Sequence, residues 1–421
     1  MTLWLLAIAA GATVANLYFS QPLLGLIGAQ LGAPASVIGL VSTLTQAGYA
    51  AGMVLIVPLG DSRERRGLLA ASALASAAAL LLTGLSPNVG LLLLASFALG
   101  LATVAPQLAV PFAAAIVPGE QRGRALGKVM SGLLLGILLS RVLSGAIGAH
   151  LGWRALYFMA APAMVALAVL LRVALPAQRP EGGLRYLELL RSLPRIAREE
   201  PLLRRHALLG ACTFGAFSVF WTTLAFVLAA PPYGYGSAVA GSFGLLGAAG
   251  ALAAPVAGRL ADRYGSRAVN LGAIGVVLLS YAILAAGGRH LAALAAGVVL
   301  LDLGVQANHI SNQTRVLGLS HGSRNRVNTL YMVTYFAGGA LGSATGSAAW
   351  SAGGWLAVCG VGAGFSLAAL SVFFLVGSAE AKRADAESAH PRTAGPPVSD
   401  LPGAPPAAPG PRSRPAPQGR G

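Results

Sequence analysis

Apolar stretches of roughly 20 residues follow one another along this chain almost without pause, each about long enough to cross a hydrocarbon core at 1.5 Å per residue. Bounded by Pro, Gly or charge, they fall at about 3–28, 36–59, 67–85, 89–117, 124–149 and 153–175. A second six follow at about 204–229, 237–258, 268–286, 291–317, 326–350 and 353–377. These are numbered spans 1 to 12 below. The chain is therefore expected to be an all-α membrane protein with lipid as its solvent. Its expected parts are an N-terminal six-helix bundle at 1–175, a cytoplasmic linker at 176–203, a C-terminal six-helix bundle at 204–377 and a disordered cytoplasmic tail at 378–421.

Composition excludes several other classes. The 421 residues are 56% hydrophobic and 10% charged, against about 25% charged in a soluble domain. The net charge of +16 does not point to nucleic acid, because the basic residues sit in short segments between apolar runs rather than on one amphipathic surface. Cys212 and Cys359 each lie inside an apolar run with no Cys or His at metal-ligand spacing, so neither a metal nor a cofactor is expected. No phosphate loop occurs: Gly127-Lys128 is followed by Val129 and lacks the upstream glycine, which argues against direct ATP coupling. The opening MTLWLLAIAAGATVA imitates a signal peptide but has no positive n-region. Its apolar character continues through Leu17, Tyr18 and Leu23 to Ile27, which favours a retained first helix.

Lys and Arg flanking membrane helices stay on the cytoplasmic side. One set of loops holds Arg63, Arg65, Arg66, Arg122, Arg124, Lys128, Arg259, Arg263, Arg267, Arg315, Arg324 and Arg326. The linker adds Arg179, Arg185, Arg191, Arg195 and Arg198, among Glu181, Glu188, Glu199 and Glu200. The opposite set holds only Arg154 and Arg289. Both termini are thus expected in the cytoplasm, with the linker partly helical along its surface. The tail, ending GAPPAAPGPRSRPAPQGRG, cannot bury enough apolar area to offset its ordering entropy.

Sliding the chain on itself by 201 or 202 residues brings Asp61 onto Asp262, Arg122 onto Arg324, Arg124 onto Arg326 and Gly152-Trp153 onto Gly354-Trp355. Two copies in one orientation give the parallel pseudo-symmetry that places a transporter's binding site between halves. After span 8 stands Gly258-Arg259-Leu260-Ala261-Asp262-Arg263-Tyr264-Gly265-Ser266-Arg267, and after span 2 Leu59-Gly60-Asp61-Ser62-Arg63-Glu64-Arg65-Arg66. These resemble the loop motif of the major facilitator superfamily, roughly G-x-L-A-D-R-x-G-R-R. The second copy departs mainly at Ser266, and the first has Val57 and Glu64 where glycines are usual. The opening Ala15-Asn16-Leu17-Tyr18-Phe19-Ser20-Gln21-Pro22 is similar to a bacterial efflux-type branch, the sugar and drug efflux permeases. The resemblance implies a twelve-helix fold in the bacterial inner membrane, working as a monomer, with spans 1, 4, 7 and 10 around a central cavity. Two departures stand against a specific drug-export assignment: span 5 has no proline, and Ser96 stands four before Gly100 where that branch has an arginine. Asp61, Arg65, Arg66, Asp262, Arg263 and Arg267 are candidates for a cytoplasmic gate, since an acid and arginines at helix ends can bridge in one conformation and separate in another. They also read as topology signals with solvated side chains.

A charge near the bilayer centre costs at least about 2.5 to 3.5 kcal/mol on insertion scales, so such residues usually face a cavity. Asp302 in span 10 is the one acid well inside a predicted span, and Arg141 in span 5 is the clearest base. Counted from the far ends of their helices they lie about 16 Å and about 12 Å deep. They are expected to be able to meet. In one conformation the pair would keep Asp302 ionised; in another, withdrawal of the arginine would let the desolvated acid take a proton. The alternative is a structural acid bound to nearby helix groups. Gln306, His309 and Gln313 follow Asp302 along approximately one helix face. By the repeat, Gly100 stands opposite Asp302 and Gln107 opposite His309. Asn16, Tyr18 and Gln21 in span 1, Gln46 in span 2 and Trp221 in span 7 complete the candidates for the substrate cavity, each equally open to a helix-packing role.

The sequence thus predicts a secondary transporter that exports a small solute in exchange for protons. Uniport, or uptake of a metabolite such as a sugar or amino acid, is the alternative. An intramembrane enzyme or receptor is a distant one, since no His/Asp/Glu grouping offers a catalytic or metal set.

Overall fold

Proline and glycine decide where these apolar stretches break. The computed structural model describes residues 2–178, 186–319 and 324–389, with backbone alone at 248–258, 261–262, 324–325 and 376–389. Span 1 is two helices, α1 (Thr2–Ala15) and α2 (Leu24–Leu31), separated by turns and a 3-10 segment, Gln21–Leu23. Pro22 has no N–H with which to continue the ladder through that segment. Span 2 is α3 (Ala35–Ile38) and α4 (Leu40–Leu55), closed by a 3-10 turn at Val57–Asp61 that contains Pro58. Span 3 is α5 (Arg65–Leu85). Span 4 is broken into α6 (Val89–Ala102) and α7 (Ala105–Ala115), with Pro106 in the first turn of α7. The Asn88 side chain caps α6 by accepting from the Leu91 N–H at 3.0 Å.

Spans 5 and 6 are unbroken as α8 (Arg122–Leu151) and α9 (Trp153–Ala174). The linker carries one amphipathic helix, α10 (Tyr186–Glu199), with Leu189 and Leu193 buried. Span 7 is α11 (Pro201–Ala229) and span 10 is α13 (Leu291–Gly318). Spans 8 and 9 run together as α12 (Ser237–Ala286), broken at Gly265, and spans 11 and 12 as α14 (Arg324–Ala389), broken at Gly353 and Gly354. Among the described residues nine stretches are long and apolar enough to cross a membrane, and one of these, Arg326–Leu375, contains the Gly354 break. Thr2–Ala15 and Ser237–Gly247 are shorter apolar helices. All twelve predicted span positions are therefore occupied by helix. The helix of span 12 continues to Ala389, past the end expected at 377. The linker residues 179–185, the tail from 390, and the side chains of Asp262 and Arg324 lie outside the described residues.

The sequence repeat has a structural counterpart at its tryptophans. Gly152 and Gly354 both have positive φ, 81° and 65°, a conformation that favours glycine and here turns the chain between adjacent helices. Just beyond each, span 6 and span 12 tie back to a helix of their own half, while Trp153 itself donates to Gln30 Oε1 of α2. Arg154 donates to the Ser86 carbonyl at the end of span 3 (3.0 Å), and the Trp355 indole to the Leu284 carbonyl in span 9 (2.6 Å).

Lipid offers helices no hydrophobic drive to associate, so close backbone approach between small residues does that work. Gly11 of α1 packs on Gly132 and Gly136 of α8, so near that a Cβ on any of the three would overlap the other helix's backbone. The two halves meet by the same device. Gly145 of α8 lies against Ser237 and Gly241 of α12, Gly39 against Ser347 of α14, and Gly25 against Ala225 of α11. Hydrogen bonds reinforce this seam: Ser237 Oγ donates to Gly145 O (3.0 Å), Ser36 N to Ser351 Oγ (3.0 Å) and Gln46 Nε2 to Ser343 Oγ (2.9 Å). The contacts between the halves lie toward the end of the bundle remote from the arginine-rich loops. That end is shut.

Gly136→Val is expected to lower the unfolding midpoint in detergent through overpacking worth about 1–3 kcal/mol. Gly127→Val, where a Cβ meets nothing within 4 Å, should leave the midpoint unchanged, and equal midpoints for the two variants would refute the packing account.

Candidate functional site in the central cavity

Below the sealed end the halves part around a cavity of about 440 Å³. α8 contributes a wall of Leu133, Leu134, Ile137 and Leu138 that ends in Arg141. Facing it, α13 presents Asp302, Val305, Gln306 and His309 along one side. Tyr18, Tyr49, Phe214, Phe217, Tyr335 and Phe336 supply the aromatic surface between them. A second cavity, about 420 Å³, shares Gln107, Met130, Leu133, His309 and Met332 with the first and reaches Asp61, Arg65, Gln313 and Arg326 at the arginine-rich end. Leu189 and Leu193 of the linker helix α10 line it as well.

Arg141 and Asp302 are both almost fully buried, at 3% and 4% exposure. They line the same cavity, yet no N–O approach within 4.0 Å joins them. Trp221 of α11 mediates between them. Its indole N–H donates to Asp302 Oδ1 at 3.2 Å, while its ring lies 3.7 Å from the Arg141 guanidinium carbon. Tyr18 and Phe217 add two more aromatic faces to that cation, at 4.9 and 5.6 Å. Arg141 Nε donates to Gln21 Oε1 at 3.0 Å, but Nη2 is buried without an acceptor. Leaving a donor of a charged group unpaired costs about 1–3 kcal/mol or more. Arg141 and Gln21 belong to the N-terminal half, Trp221 and Asp302 to the C-terminal half.

Glycines on α12 make this approach possible. A Cβ at Gly244 would stand 2.9 Å from Arg141 Cβ, and one at Gly247 would stand 2.5 Å from Asp302 Oδ2. Any side chain there would displace the charged groups.

The remaining candidates divide. Tyr18, Gln107, Gln306 and His309 line the cavity, and Gln313 lines its extension. Gln107 donates to Tyr49 Oη (3.1 Å), Gln313 to Asn328 Oδ1 (3.1 Å), and His309 Nδ1 lies 3.0 Å from the Tyr331 hydroxyl. Asn16, Gln21, Gln46 and Trp221 stand outside the lining. Asn16 turns to Met164 of α9, with its Oδ1 unpaired. Gln46 bridges the halves, bonding Ser343 at 2.9 Å and accepting from Ser218 at 3.3 Å. At the arginine-rich end, Asp61 pairs with Arg65 (3.7 Å) and Glu64 with Arg66 (2.8 Å) and Arg172 (3.7 Å), all within the N-terminal half. Arg263 lies over Tyr264 and Arg267 over Phe373, within the C-terminal half.

Two features escaped the sequence reading. One is the aromatic wall, whose only signal was a scatter of Phe and Tyr at membrane depth. The other is a fully buried network of His206, Thr213, Asn270, Asn308 and Asn312 joining α11, α12 and α13. Asn312 Oδ1 accepts from both His206 Nδ1 (2.7 Å) and Asn270 Nδ2 (2.9 Å), Asn308 Oδ1 from Thr213 and Asn312, and Asn270 Oδ1 from Asn308. Its oxygens are used up internally, which suits a strut rather than a site.

The comparison with known proteins bears directly on this architecture. The family model described as the Major Facilitator Superfamily matches the chain over residues 3–316 and again over 212–407. The chain belongs to the major facilitator superfamily. Among relatives, the uncharacterized transporter YgaY of Escherichia coli O157:H7 is 41% identical over 370 residues, 88% of this chain and 94% of the relative. A Streptomyces coelicolor protein named as probable transporter SCO4007 is 38% identical over 358 residues, 85% of this chain and 83% of the relative. The fold also matches a crystal structure of a bacterial homologue of the human lysosomal transporter Spinster, with a TM-score of 0.72 at 15% identity, covering 89% of this chain and 96% of that one. The nucleoside transporter NupG gives the same TM-score, 0.72, at 14% identity, covering 88% of this chain and all of its own. This facilitator-superfamily protein is thus a multi-pass membrane transporter of a small-molecule substrate and not an enzyme.

In this facilitator protein the two functions of Trp221 are separable. Trp221→Phe keeps a ring face for Arg141 but leaves Asp302 without its donor, and should lower the unfolding midpoint by an amount equivalent to about 1–3 kcal/mol. Trp221→Leu removes the cation–π contact as well and should cost about 0.5–2 kcal/mol more. Thermal unfolding of the purified variants gives the ranking, and indifference to either change would show that the indole bears no load.

Proposed function

We propose that this transporter exports a small solute by alternating access in exchange for protons, with its arginine-rich end in the cytoplasm of a bacterial inner membrane. The observation that carries the reading is the placement of Arg141 and Asp302, one from each half, on one cavity with Trp221 between them. A carboxylate at that depth is an economical proton carrier. Ionised, it holds the indole N–H and stays near the guanidinium. Protonated, it no longer attracts either, and the contact between halves weakens on the side where the bundle is shut. Rocking of one half against the other then opens the sealed end.

The orientation rests on the positive-inside bias of the loops. With that bias applied, the described conformation is open to the cytoplasm, since its cavity extends to Asp61, Arg65 and Arg326 while glycine contacts close the other end. The gate residues support the same cycle. Asp61, Arg65 and Arg66 hold partners inside their own half here, and in the outward-open state they would exchange these for residues around Asp262, Arg263 and Arg267. The cavity is enclosed within one chain, so a monomer suffices. The relatives at 41% and 38% identity are bacterial.

Everted vesicles containing the protein, acidified inside and challenged with a solute library, test the exchange. A transported solute should dissipate the pH gradient, seen as acridine orange dequenching. Asp302→Asn should abolish that signal while the variant still inserts and folds. Counterflow in the wild type that is indifferent to pH and gradient would instead establish uniport.

A further inference from the structure

The groups around Arg141 restrict what it can still bind. Its two faces are taken up by aromatic rings, Trp221 at 3.7 Å and Tyr18 and Phe217 farther off, and its Nε by Gln21. What remains is the outer edge of the guanidinium, where Nη2 meets no acceptor. That edge is a planar fork matched to the two oxygens of a carboxylate. Asp302 is the converse case. Oδ1 accepts from Trp221, Oδ2 makes no hydrogen bond to any described residue, and no cation stands within 4.0 Å. Oδ2 packs against Gly247, where a Cβ would stand 2.5 Å from it. Arg141 and Asp302 therefore line one cavity with hydrogen-bonding capacity unspent, too far apart to pair and near enough for one indole to touch both.

We propose that this pair recognises the zwitterionic headgroup of an α-amino acid with an apolar side chain, Arg141 taking the carboxylate and Asp302 the ammonium. A solute of single charge would satisfy one buried ion and leave the other uncompensated, whereas a zwitterion neutralises both. The walls suit the rest of such a molecule. Phe214, Phe217, Phe336 and the α8 leucines offer apolar surface for the side chain. The inference rests on the exchange reading and explains it. An ammonium and a proton compete for the Asp302 carboxylate, so the carrier holds one or the other, the condition for antiport. An anionic solute would instead bind together with the proton, which produces symport.

Ligand-induced thermal shift on the purified full chain separates these outcomes without requiring transport. The probes are L-leucine and L-phenylalanine, the matching amines isoamylamine and phenethylamine, the matching carboxylates 4-methylvalerate and 3-phenylpropionate, and glucose. The two amino acids should raise Tm at concentrations at least about tenfold below those needed for either partial analogue. Asp302→Asn should erase the advantage of amino acid over carboxylate, and Arg141→Gln its advantage over amine. Should Arg141→Gln not fold, Arg141→Lys keeps the charge without the fork, and the apparent affinity for the amino acid should fall about tenfold. An amine, carboxylate or glucose that stabilises the wild type as well as the amino acids do, or no shift from any of them, overturns the proposal. A pH gradient dissipated in vesicles by a solute of another class, with no thermal shift from leucine or phenylalanine, removes the headgroup assignment and leaves proton exchange standing. Amino-acid binding without gradient dissipation removes proton exchange and leaves the headgroup recognised.

Discussion

A guanidinium held within the bilayer, with no carboxylate against it, sets terms for everything near it. Water cannot reach it and lipid cannot solvate it, so the protein supplies what solvation it gets: three aromatic faces and one glutamine oxygen. Those groups come from both halves of the molecule, Tyr18 and Gln21 from one and Phe217 and Trp221 from the other. The cation is comfortable only while the halves stay in register. Its comfort is also incomplete, because Nη2 has no acceptor. Such a group is poorly suited to a static core and well suited to a contact that must be made and broken.

The backbone is arranged around that requirement. Span 1 is unwound between Asn16 and Leu23, and this is the segment that brings Tyr18 and Gln21 to Arg141. Span 8 contributes no charge of its own to the cluster. It contributes the absence of side chains at Gly241, Gly244 and Gly247, against which Arg141 and Asp302 rest. Elsewhere the C-terminal half is stiffened by the network of His206, Thr213, Asn270, Asn308 and Asn312, which ties α11, α12 and α13 together. A rigid body carrying Trp221 and Asp302 transmits a local change in charge as a displacement of the whole half.

Much of this was legible in the sequence, for reasons that differ by residue. Helix positions could be read because lipid permits few alternatives to a helix. Gly152-Trp153 and Gly354-Trp355 marked the repeat, and both glycines adopt positive φ where the chain turns between adjacent helices. Asp302 and Arg141 stood out because charge at that depth is rare, and depth along a helix follows directly from residue count. The direction a polar side chain faces does not. Gln46, Asn16 and Trp221 were all placed at the right depth, yet each points at a neighbouring helix, and which neighbour lies there is a tertiary fact. The polar network was missed for a related reason: Asn308 and Asn312 share a face of α13, but their partners His206, Thr213 and Asn270 stand on two other helices and are linked to them only by packing. The gate at Asp262 was read from its motif, and its side chain lies outside the described residues.

Trp221 shows most clearly what packing adds. As an isolated aromatic residue in span 7 it reads as a surface for substrate. Placed between a buried cation and a buried anion, it does two things that an ion pair between them could not do together. Its N–H stabilises the carboxylate without neutralising it, and its ring stabilises the guanidinium without occupying the edge that would bind another carboxylate. A direct Arg141–Asp302 pair would satisfy both charges internally, leave nothing for a solute to complete, and hold the halves by an attraction costly to break away from water. By separating the charges while supporting each, the indole keeps both available within a closed, apolar space. That separation is what makes the contact between halves responsive to what enters the cavity.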